Sequence, residues 1–212
     1  KIGFWDAGGG GHRRVNSMTK LWVPPKDCKY LAGVDEVGRG ALAGPVVVVA
    51  VILPMHEQII GLSDSKLLSE SRRLSLYSEI INRALCFSVG YAGSDEIDDL
   101  NILQATLIAM KRAVDNLRVQ PDFVAVDGNV LPKWSHSSES IIGGDGFVEA
   151  ISAASIVAKV IRDKEMSEND KKYPGYDFSA NKGYGTKKHL SSLKDIGPSP
   201  IHRYTFAPIK NG

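Results

Sequence analysis

A chain of 212 residues suits one domain, or one domain with an appendage. Its hydrophobic fraction of 43% and charged fraction of 24% are ordinary for a globular protein, and no apolar run approaches the roughly 20 residues that span a bilayer. The two cysteines, Cys28 and Cys86, indicate neither a disulfide framework nor a zinc site, so we expect a cytoplasmic protein without membrane attachment.

The two ends of the chain differ in composition from its middle. Residues 1–17 contain a run of four glycines, and Met18 would make a natural start, so we interpret 1–17 as a disordered, non-native leader. Residues 171–212 hold eight Lys or Arg against two Asp, a net charge of +6, which leaves −4 for the rest of a chain of net charge +2. This asymmetry fits a metal-dependent enzyme that acts on a polyanion or a solvated helix surface, and charge alone does not separate them.

The first half of the chain predicts three strands and three helices. The apolar runs 30–36, 45–53 and 86–92 predict strands, and the second run is apolar on both faces, which is typical of a central strand covered on both sides. Ser69 is the predicted cap of a helix that continues to Arg83. Ser94 is the predicted cap of a short helix over 95–100, whose acidic residues we interpret as its first turn rather than as metal ligands. A longer helix is predicted over 102–118.

The second half of the chain completes an α/β pattern. Residues 123–127 predict a strand that ends on Asp127, and residues 140–143 predict another that leads into a Gly-Asp-Gly turn. Helical spacing follows over 148–170 and again over 187–194. The order predicts an α/β fold whose mixed central sheet of about five strands is flanked by helices on both faces.

Four carboxylates fall at equivalent places in this pattern. Asp35 and Glu36 end the first strand, Asp127 ends a later one, and Asp145 lies in a glycine-flanked turn before a helix. If these strands are neighbours, the four acids meet at one edge of the sheet. Hard cations such as Mg²⁺ prefer oxygen ligands, and two ions about 3.5–4 Å apart can assist phosphoryl transfer. The alternative is a strand end with solvated acids.

The loop after the first strand has the sequence Gly38-Arg39-Gly40. Glycines let backbone N–H groups come close to a ligand because no Cβ is in the way. The alternative is an ordinary tight turn. Successive strand residues point to opposite faces, so Asp35 and Glu36 share a site only if the strand ends or bulges there, which the glycines allow.

A series of sequence blocks matches a known family in order. The blocks are residues 33–40, 42–47, 64–66, 101–106, 126–129, 153–160, 173–176, 182–186 and 197–203. Together they closely resemble ribonuclease HII, the type 2 ribonuclease H family, from about residue 30 to residue 208. The resemblance implies an RNase H-like catalytic core over 18–170 and a basic helical C-terminal extension over 171–212 that packs on it.

The resemblance also implies an activity. We expect an endonuclease that nicks the 5′ side of ribonucleotides in RNA/DNA hybrids and of single ribonucleotides embedded in duplex DNA, leaving 3′-hydroxyl and 5′-phosphate ends. Such an enzyme would serve ribonucleotide excision repair and DNA replication. It would require a divalent metal, Mg²⁺ or Mn²⁺, with two ions in the active complex. We expect a monomer, and the sequence does not indicate any protein partner.

Residue roles follow from the matching blocks. The resemblance implies that Asp35, Glu36, Asp127 and Asp145 are catalytic and bind metal. Asp35 and Asp145 would hold the ion that activates water, and Asp35, Glu36 and Asp127 the ion that stabilises the leaving 3′-oxygen. The predicted substrate contacts are the 2′-hydroxyl reader Gly38, Arg39 and Gly40, the deoxyribose-packing Tyr184, the phosphate contacts Ser65 and Lys66, and the duplex-binding Lys182, Lys187 and Lys188.

Some positions depart from the family pattern. Gly143 precedes the block Gly144-Asp145 where the family often has Lys, so a cation near the site is absent or supplied by another residue. Val37 replaces a common alanine. Two alternatives remain at this stage. One is a ribonuclease HIII or type 1 enzyme that acts on hybrids only, and the other is a non-catalytic nucleic-acid-binding module.

Overall fold

The computed structural model describes residues 22–55 and 58–211. The predicted leader, residues 1–17, lies outside this part of the chain. Within it, no helix is long and apolar enough to cross a membrane.

A five-stranded mixed sheet forms the centre of the fold, as predicted. Its strand order is β3-β2-β1-β4-β5, with β1 antiparallel to β2 and parallel to β4. The remaining pairs are antiparallel β2–β3 and parallel β4–β5. The strands are β1 Leu31–Val37, β2 Val46–Ile52, β3 Cys86–Ala92, β4 Phe123–Asp127 and β5 Ser138–Ile141. Every residue of β2 is buried, which agrees with its apolar character on both faces.

Helices cover both faces of the sheet. They are α1 Glu70–Arg83, α2 Ser94–Leu100, α3 Ile102–Asp115, α4 Glu149–Lys172, α5 Phe178–Asn181 and α6 Lys187–Ile196, with short 3₁₀ turns at Gly144–Gly146 and Ile209–Asn211. One core cluster lies between the sheet and α2 and α3, and a second lies between the sheet and α1 and α4. A Cβ at Gly33 would collide with the backbone of Ala150, so this glycine allows α4 to pack directly on β1.

The structure corrects several predicted boundaries, and α6 continues two residues beyond its predicted end at Lys194. Gly93, not Ser94, caps α2, and Glu96 accepts a hydrogen bond from the Gly93 N–H. The helix predicted to reach residue 118 ends at Asp115, where its cap Asn116 leaves helical geometry. The strand predicted over 140–143 is β5, which ends earlier because Gly143 adopts a left-handed conformation, φ 68°. The helix predicted over 148–170 is α4, which continues for two more residues. The Ser69 cap is confirmed, since its side chain accepts from the Arg72 N–H.

The C-terminal segment returns to the loop between β1 and β2. Ala43 forms an isolated antiparallel bridge with His202, and Ala43 also packs with Met166, Tyr176 and Phe178 in a separate buried cluster. The chain after α4 is thereby attached to the end of β1. The domain boundary at residue 170 stays a prediction.

Candidate active site

The strand pairing brings the predicted acids to one end of the sheet. Because β1 and β4 run parallel with Val34 opposite Val126, Asp35 and Asp127 follow at the same end of adjacent strands. Asp145 lies in the 3₁₀ turn after β5 and donates its backbone N–H to Asp127 Oδ1 at 3.3 Å. The edge predicted from the strand ends therefore exists, and the four acids are near one another.

Asp35 is the most deeply buried of these acids, with 6% of its surface exposed. Its Oδ1 accepts the Glu36 N–H at 2.7 Å. Burial raises the pKa of Asp35 well above its ordinary value of 3.8, the charges of Glu36 and Asp127 raise it further, and the nearby Ser155 side chain lowers it. A carboxylate in this position would be stabilised by a nearby positive charge.

The pKa values of Glu36 and Asp145 are also raised. Burial raises the pKa of Glu36, opposed by Arg39, whose Nη1 lies 3.4 Å from Glu36 Oε1. The other oxygen of Glu36, Oε2, is buried and has no hydrogen-bond partner among the described residues. Burial likewise raises the pKa of Asp145, followed by the charges of Asp127 and Asp64 and opposed by Lys66.

These features fit a divalent cation. A buried carboxylate oxygen without a partner, in a group of acids that raise one another's pKa, is the donor set that hard cations such as Mg²⁺ and Mn²⁺ prefer. No three His, Cys, Asp or Glu side chains in residues 22–55 and 58–211 are already gathered as a ligand set. Like charges repel, so the acids have a physical reason to stay apart until a cation neutralises them.

Two of the four acids, Asp35 and Glu36, line a cleft that also contains other predicted site residues. Its volume is about 350 Å³, and its lining is Asp35, Glu36, Val37, Ser65, Lys66, Ser155, Lys159 and Tyr184. Lys66 is surrounded by negative charge. Burial lowers its pKa, but the charges of Asp64, Asp145 and other acids outweigh burial and raise it. Lys66 is therefore held as a cation beside the acids.

Gly40 of the Gly38-Arg39-Gly40 loop lies next to Tyr184, which lines this cleft. A Cβ at Gly40 would lie 4.0 Å from Tyr184 Cε1, and Tyr184 is 37% exposed. The Arg162 guanidinium lies 5.5 Å from the centroid of its ring. The loop predicted to read the 2′-hydroxyl and the tyrosine predicted to pack on the neighbouring sugar are thus neighbours.

The predicted phosphate and duplex contacts are dispersed. Ser65 is buried and accepts a hydrogen bond from the Ser155 hydroxyl at 2.9 Å. Lys182 points inward, with its Nζ 3.0 Å from Ser167 Oγ and 3.4 Å from the Asp163 carbonyl. Lys188 forms an ion pair with Asp177 at 3.0 Å, and Lys187 is exposed on the first turn of α6. Of this group, only Ser65 and Lys66 line the cleft with the acids.

Several residues that support the site were not predicted. Ser155 donates to Ser65 and lowers the pKa of Asp35, and the Ser152 hydroxyl donates to the Asp145 carbonyl at 2.6 Å. The charge of Asp64 raises the pKa of Asp145, and Asp64 lies in a block that the sequence analysis quoted without assigning it a role. Ser152 and Ser155 are three residues apart on α4, and this spacing was the available sign that they share a helix face.

The acidic segment of α2 has structural contacts, in agreement with its interpretation as a helix first turn. Glu96 forms an ion pair with Arg112 at 2.7 Å. Asp98 accepts the backbone N–H groups of Tyr204 and Thr205 at 2.8 and 2.9 Å. The segment therefore holds the C-terminal chain in place.

Comparison with known proteins gives a consistent assignment. The family model for ribonuclease HII matches residues 32–209. The ribonuclease H2 from Pyrococcus horikoshii OT3 is 29% identical, with a TM-score of 0.72, over 86% of this chain and 96% of that chain. The RNase HII in the PCNA:RNase HII complex from Archaeoglobus fulgidus is 25% identical, with a TM-score of 0.71, over 84% of this chain and 95% of that chain.

A more distant relative shares the fold. Bst-RNase HIII, in a structure with Mn²⁺, is 16% identical, with a TM-score of 0.63, over 85% of this chain and 68% of that chain. The family match extends over most of the described residues, and the two archaeal structures are covered almost in full. The chain therefore belongs to the ribonuclease HII family, the type 2 ribonucleases H, and is a hydrolase with endonuclease activity.

Proposed function

We propose that this enzyme nicks the 5′ side of ribonucleotides, both in RNA/DNA hybrids and at single ribonucleotides embedded in duplex DNA. The products would carry 3′-hydroxyl and 5′-phosphate ends. The observation that carries this proposal is the shared cleft. Asp35, Glu36 and Tyr184 line it together, and Gly40 of the loop after β1 lies next to Tyr184.

Asp35, Glu36, Asp127 and Asp145 would hold the divalent cations, Mg²⁺ or Mn²⁺. Bound there, two cations would supply an activated water and charge stabilisation at the leaving 3′-oxygen. The chain's own residues prepare the acids for this role. The Glu36 N–H orients the Asp35 carboxylate, Ser152 fixes the backbone of Asp145, and the unpartnered Glu36 Oε2 is a free oxygen ligand.

The rim of the cleft would select the substrate. Only RNA carries a 2′-hydroxyl, so a protein distinguishes a ribonucleotide by contacts to that group. The exposed backbone at Arg39 and Gly40 offers such contacts. The half-exposed Tyr184 ring, next to Gly40, would pack on the next sugar and favour a deoxyribose there. Lys66 beside the acids would contact the phosphate.

A nicking assay with Mg²⁺ tests the proposal. The substrates are a DNA duplex with one ribonucleotide, an RNA/DNA hybrid, and plain DNA, each also tested with Asp35→Asn. Asp99→Asn serves as a matched control, because Asp99 is an exposed acid on α2. We expect a nick 5′ to the lone ribonucleotide and cleavage of the hybrid by the wild-type enzyme and by Asp99→Asn. Plain DNA and Asp35→Asn should give no product.

Two other results would redirect the assignment. Cleavage of the hybrid alone would contradict the embedded-ribonucleotide activity and point to a specificity like that of ribonuclease HIII or a type 1 enzyme. No cleavage with Mg²⁺ or Mn²⁺, together with intact binding, would indicate a nucleic-acid-binding module. We also propose that the enzyme serves ribonucleotide excision repair, since this activity begins the removal of embedded ribonucleotides.

A further inference from the structure

Arg203 is a buried arginine whose guanidinium, within the described residues, donates hydrogen bonds only to backbone carbonyls. None of its surface is exposed, and none of the ion pairs in residues 22–55 and 58–211 includes it. Its Nη2 donates to the Gly38 carbonyl at 2.7 Å, and its Nη1 donates to the Arg39 carbonyl at 2.8 Å. Its Nε and Nη2 both donate to the Gly44 carbonyl, at 3.1 and 2.9 Å. One rigid fork therefore holds three carbonyls of one loop.

These hydrogen bonds determine where the loop's N–H groups point. In a planar trans peptide, the carbonyl of one residue and the N–H of the next point to opposite sides of the chain. The peptides after Gly38 and Arg39 are trans, since the only cis bond among the described residues precedes Pro208. Their carbonyls point inward to Arg203, so the N–H groups of Arg39 and Gly40 point outward.

The outward N–H groups are available to a ligand. Arg39 and Gly40 are exposed, and neither donates its backbone N–H to a protein acceptor within the described residues. Tyr184 is the nearest group to a Cβ at Gly40, at 4.0 Å. A hydroxyl oxygen that binds beside this exposed backbone would meet two donors that the fold has already oriented.

A second buried arginine supports the same arrangement from the opposite side. Arg162 Nη1 donates to the Lys182 carbonyl at 2.8 Å, and its Nε donates to the Pro45 carbonyl at 3.0 Å. A Cβ at Gly38 would collide with Arg162. The segment before Tyr184 and the loop after β1 are therefore held by two guanidinium groups, and neither forms an ion pair within residues 22–55 and 58–211.

We propose that Arg203 is a positioning residue for ribonucleotide recognition, because it orients the Arg39 and Gly40 N–H groups toward the ribose 2′-hydroxyl. This inference rests on the proposed function. Arg203 does not touch the substrate, and it acts through the loop backbone. A lysine at this position would keep the charge but could not satisfy three carbonyls from one planar fork.

The test compares the binding of two duplexes that differ only in one 2′-hydroxyl. Fluorescence anisotropy in EDTA, which prevents cleavage, gives the ratio of dissociation constants for the all-DNA duplex and the duplex with one ribonucleotide. We expect wild type to prefer the ribonucleotide, and we expect Arg203→Lys to reduce this preference about fivefold with little change for plain DNA. The matched control is Arg112→Lys, because Arg112 also donates to a carbonyl, that of Tyr91, but on α3 away from the loop.

Each other outcome has a definite meaning. If Arg203→Lys keeps the full preference, or weakens binding to both duplexes equally, the inference is wrong and Arg203 only stabilises the fold. A wild type that nicks at ribonucleotides but binds both duplexes equally also overturns it. If wild type nicks no ribonucleotide-containing duplex, the proposed function fails and the inference fails with it.

If Arg203→Lys does not fold, an NMR measurement on the wild-type chain tests the inference instead. The amide resonances of Arg39 and Gly40 are then compared in complexes with the two duplexes. We expect both to shift downfield with the ribonucleotide relative to plain DNA, because each N–H gains an acceptor. Identical amide shifts in the two complexes would contradict the inference.

Discussion

Two buried histidines share a hydrogen bond beneath the segment that carries Tyr184. His202 Nδ1 accepts the Ser199 N–H at 2.8 Å, so we assign the proton of His202 to Nε2, which donates to His189 Nε2 at 2.9 Å. His189 then carries its proton on Nδ1 and donates to the Tyr184 carbonyl at 2.9 Å. Every ring nitrogen has a partner while both histidines are neutral, and a second proton on either ring would bring two donors face to face.

The cost of protonating this pair follows from the pKa of His202. Burial, followed by the charge of His189, lowers that pKa from 6.5 to about 4. Burial also lowers the pKa of His189. Between pH 6.5 and about pH 4, the unfolded chain binds protons on these histidines that the folded chain does not bind. Their contribution to the free energy of unfolding is therefore fully present above pH 6.5 and is lost as the pH falls toward 4. At 1.36 kcal/mol per pKa unit, the His202 shift corresponds to about 3 kcal/mol.

The assay is thermal unfolding between pH 4 and pH 7.5 in EDTA, with His202→Gln as the comparison. For a chain of this length, about 3 kcal/mol corresponds to a fall in Tm of about 6–12 °C. Raised carboxylate pKa values oppose this trend in both proteins, so the difference between the two curves isolates the histidine. We expect the wild-type curve to fall more steeply, by about 1.4 kcal/mol per pH unit. Parallel curves would refute the neutral-pair assignment.

Four further changes test the acid cluster and the loop. Gly40→Ala should change the free energy of unfolding by no more than about 0.5 kcal/mol, since its Cβ meets Tyr184 only at 4.0 Å. It should nevertheless reduce kcat/KM at a single ribonucleotide about tenfold, because the methyl group fills the space beside Tyr184. Gly38→Ala should lower the free energy of unfolding by at least about 1 kcal/mol, because φ is 94° and the Cβ meets Arg162. Asp35→Asn should abolish nicking. It should also raise Tm at neutral pH in EDTA, because the pKa of Asp35 is raised in the folded chain and its ionised carboxylate destabilises the fold increasingly as pH rises above 3.8. An equal or lower Tm would contradict this. Mg²⁺ or Mn²⁺ should raise the Tm of wild type more than that of Asp35→Asn, measured by titration without substrate.

The parts of the fold that were predicted depend on local patterns. The run that became β2 is apolar at every position, and only a central strand buries both faces in that way. The approach of Asp35 and Asp127 was predicted from their places at strand ends. That prediction needed β1 and β4 to be parallel neighbours, and the structure pairs them in this way. Strand-end acids were informative because parallel strands end at the same edge.

The supporting contacts could not be predicted because they join distant parts of the chain. Arg203 binds the carbonyls of Gly38 and Arg39 across most of the sequence, and no local periodicity records such a pair. Spacing also says little about where a long side chain points. Lys182 precedes Tyr184 by two residues, yet its ammonium turns inward to Ser167.

The glycine before Asp145 illustrates how a departure from the expected pattern can be accommodated. Gly143 has a left-handed backbone, φ 68°, and nothing lies within 4 Å of the position of a Cβ. The lysine expected there from the family resemblance would therefore extend into open space. In this chain, Lys66 lies in the cleft, where the charges of Asp64, Asp145 and other acids raise its pKa. A cation from the loop before α1 thus lies beside the same acids, and the site keeps positive charge without a lysine at 143.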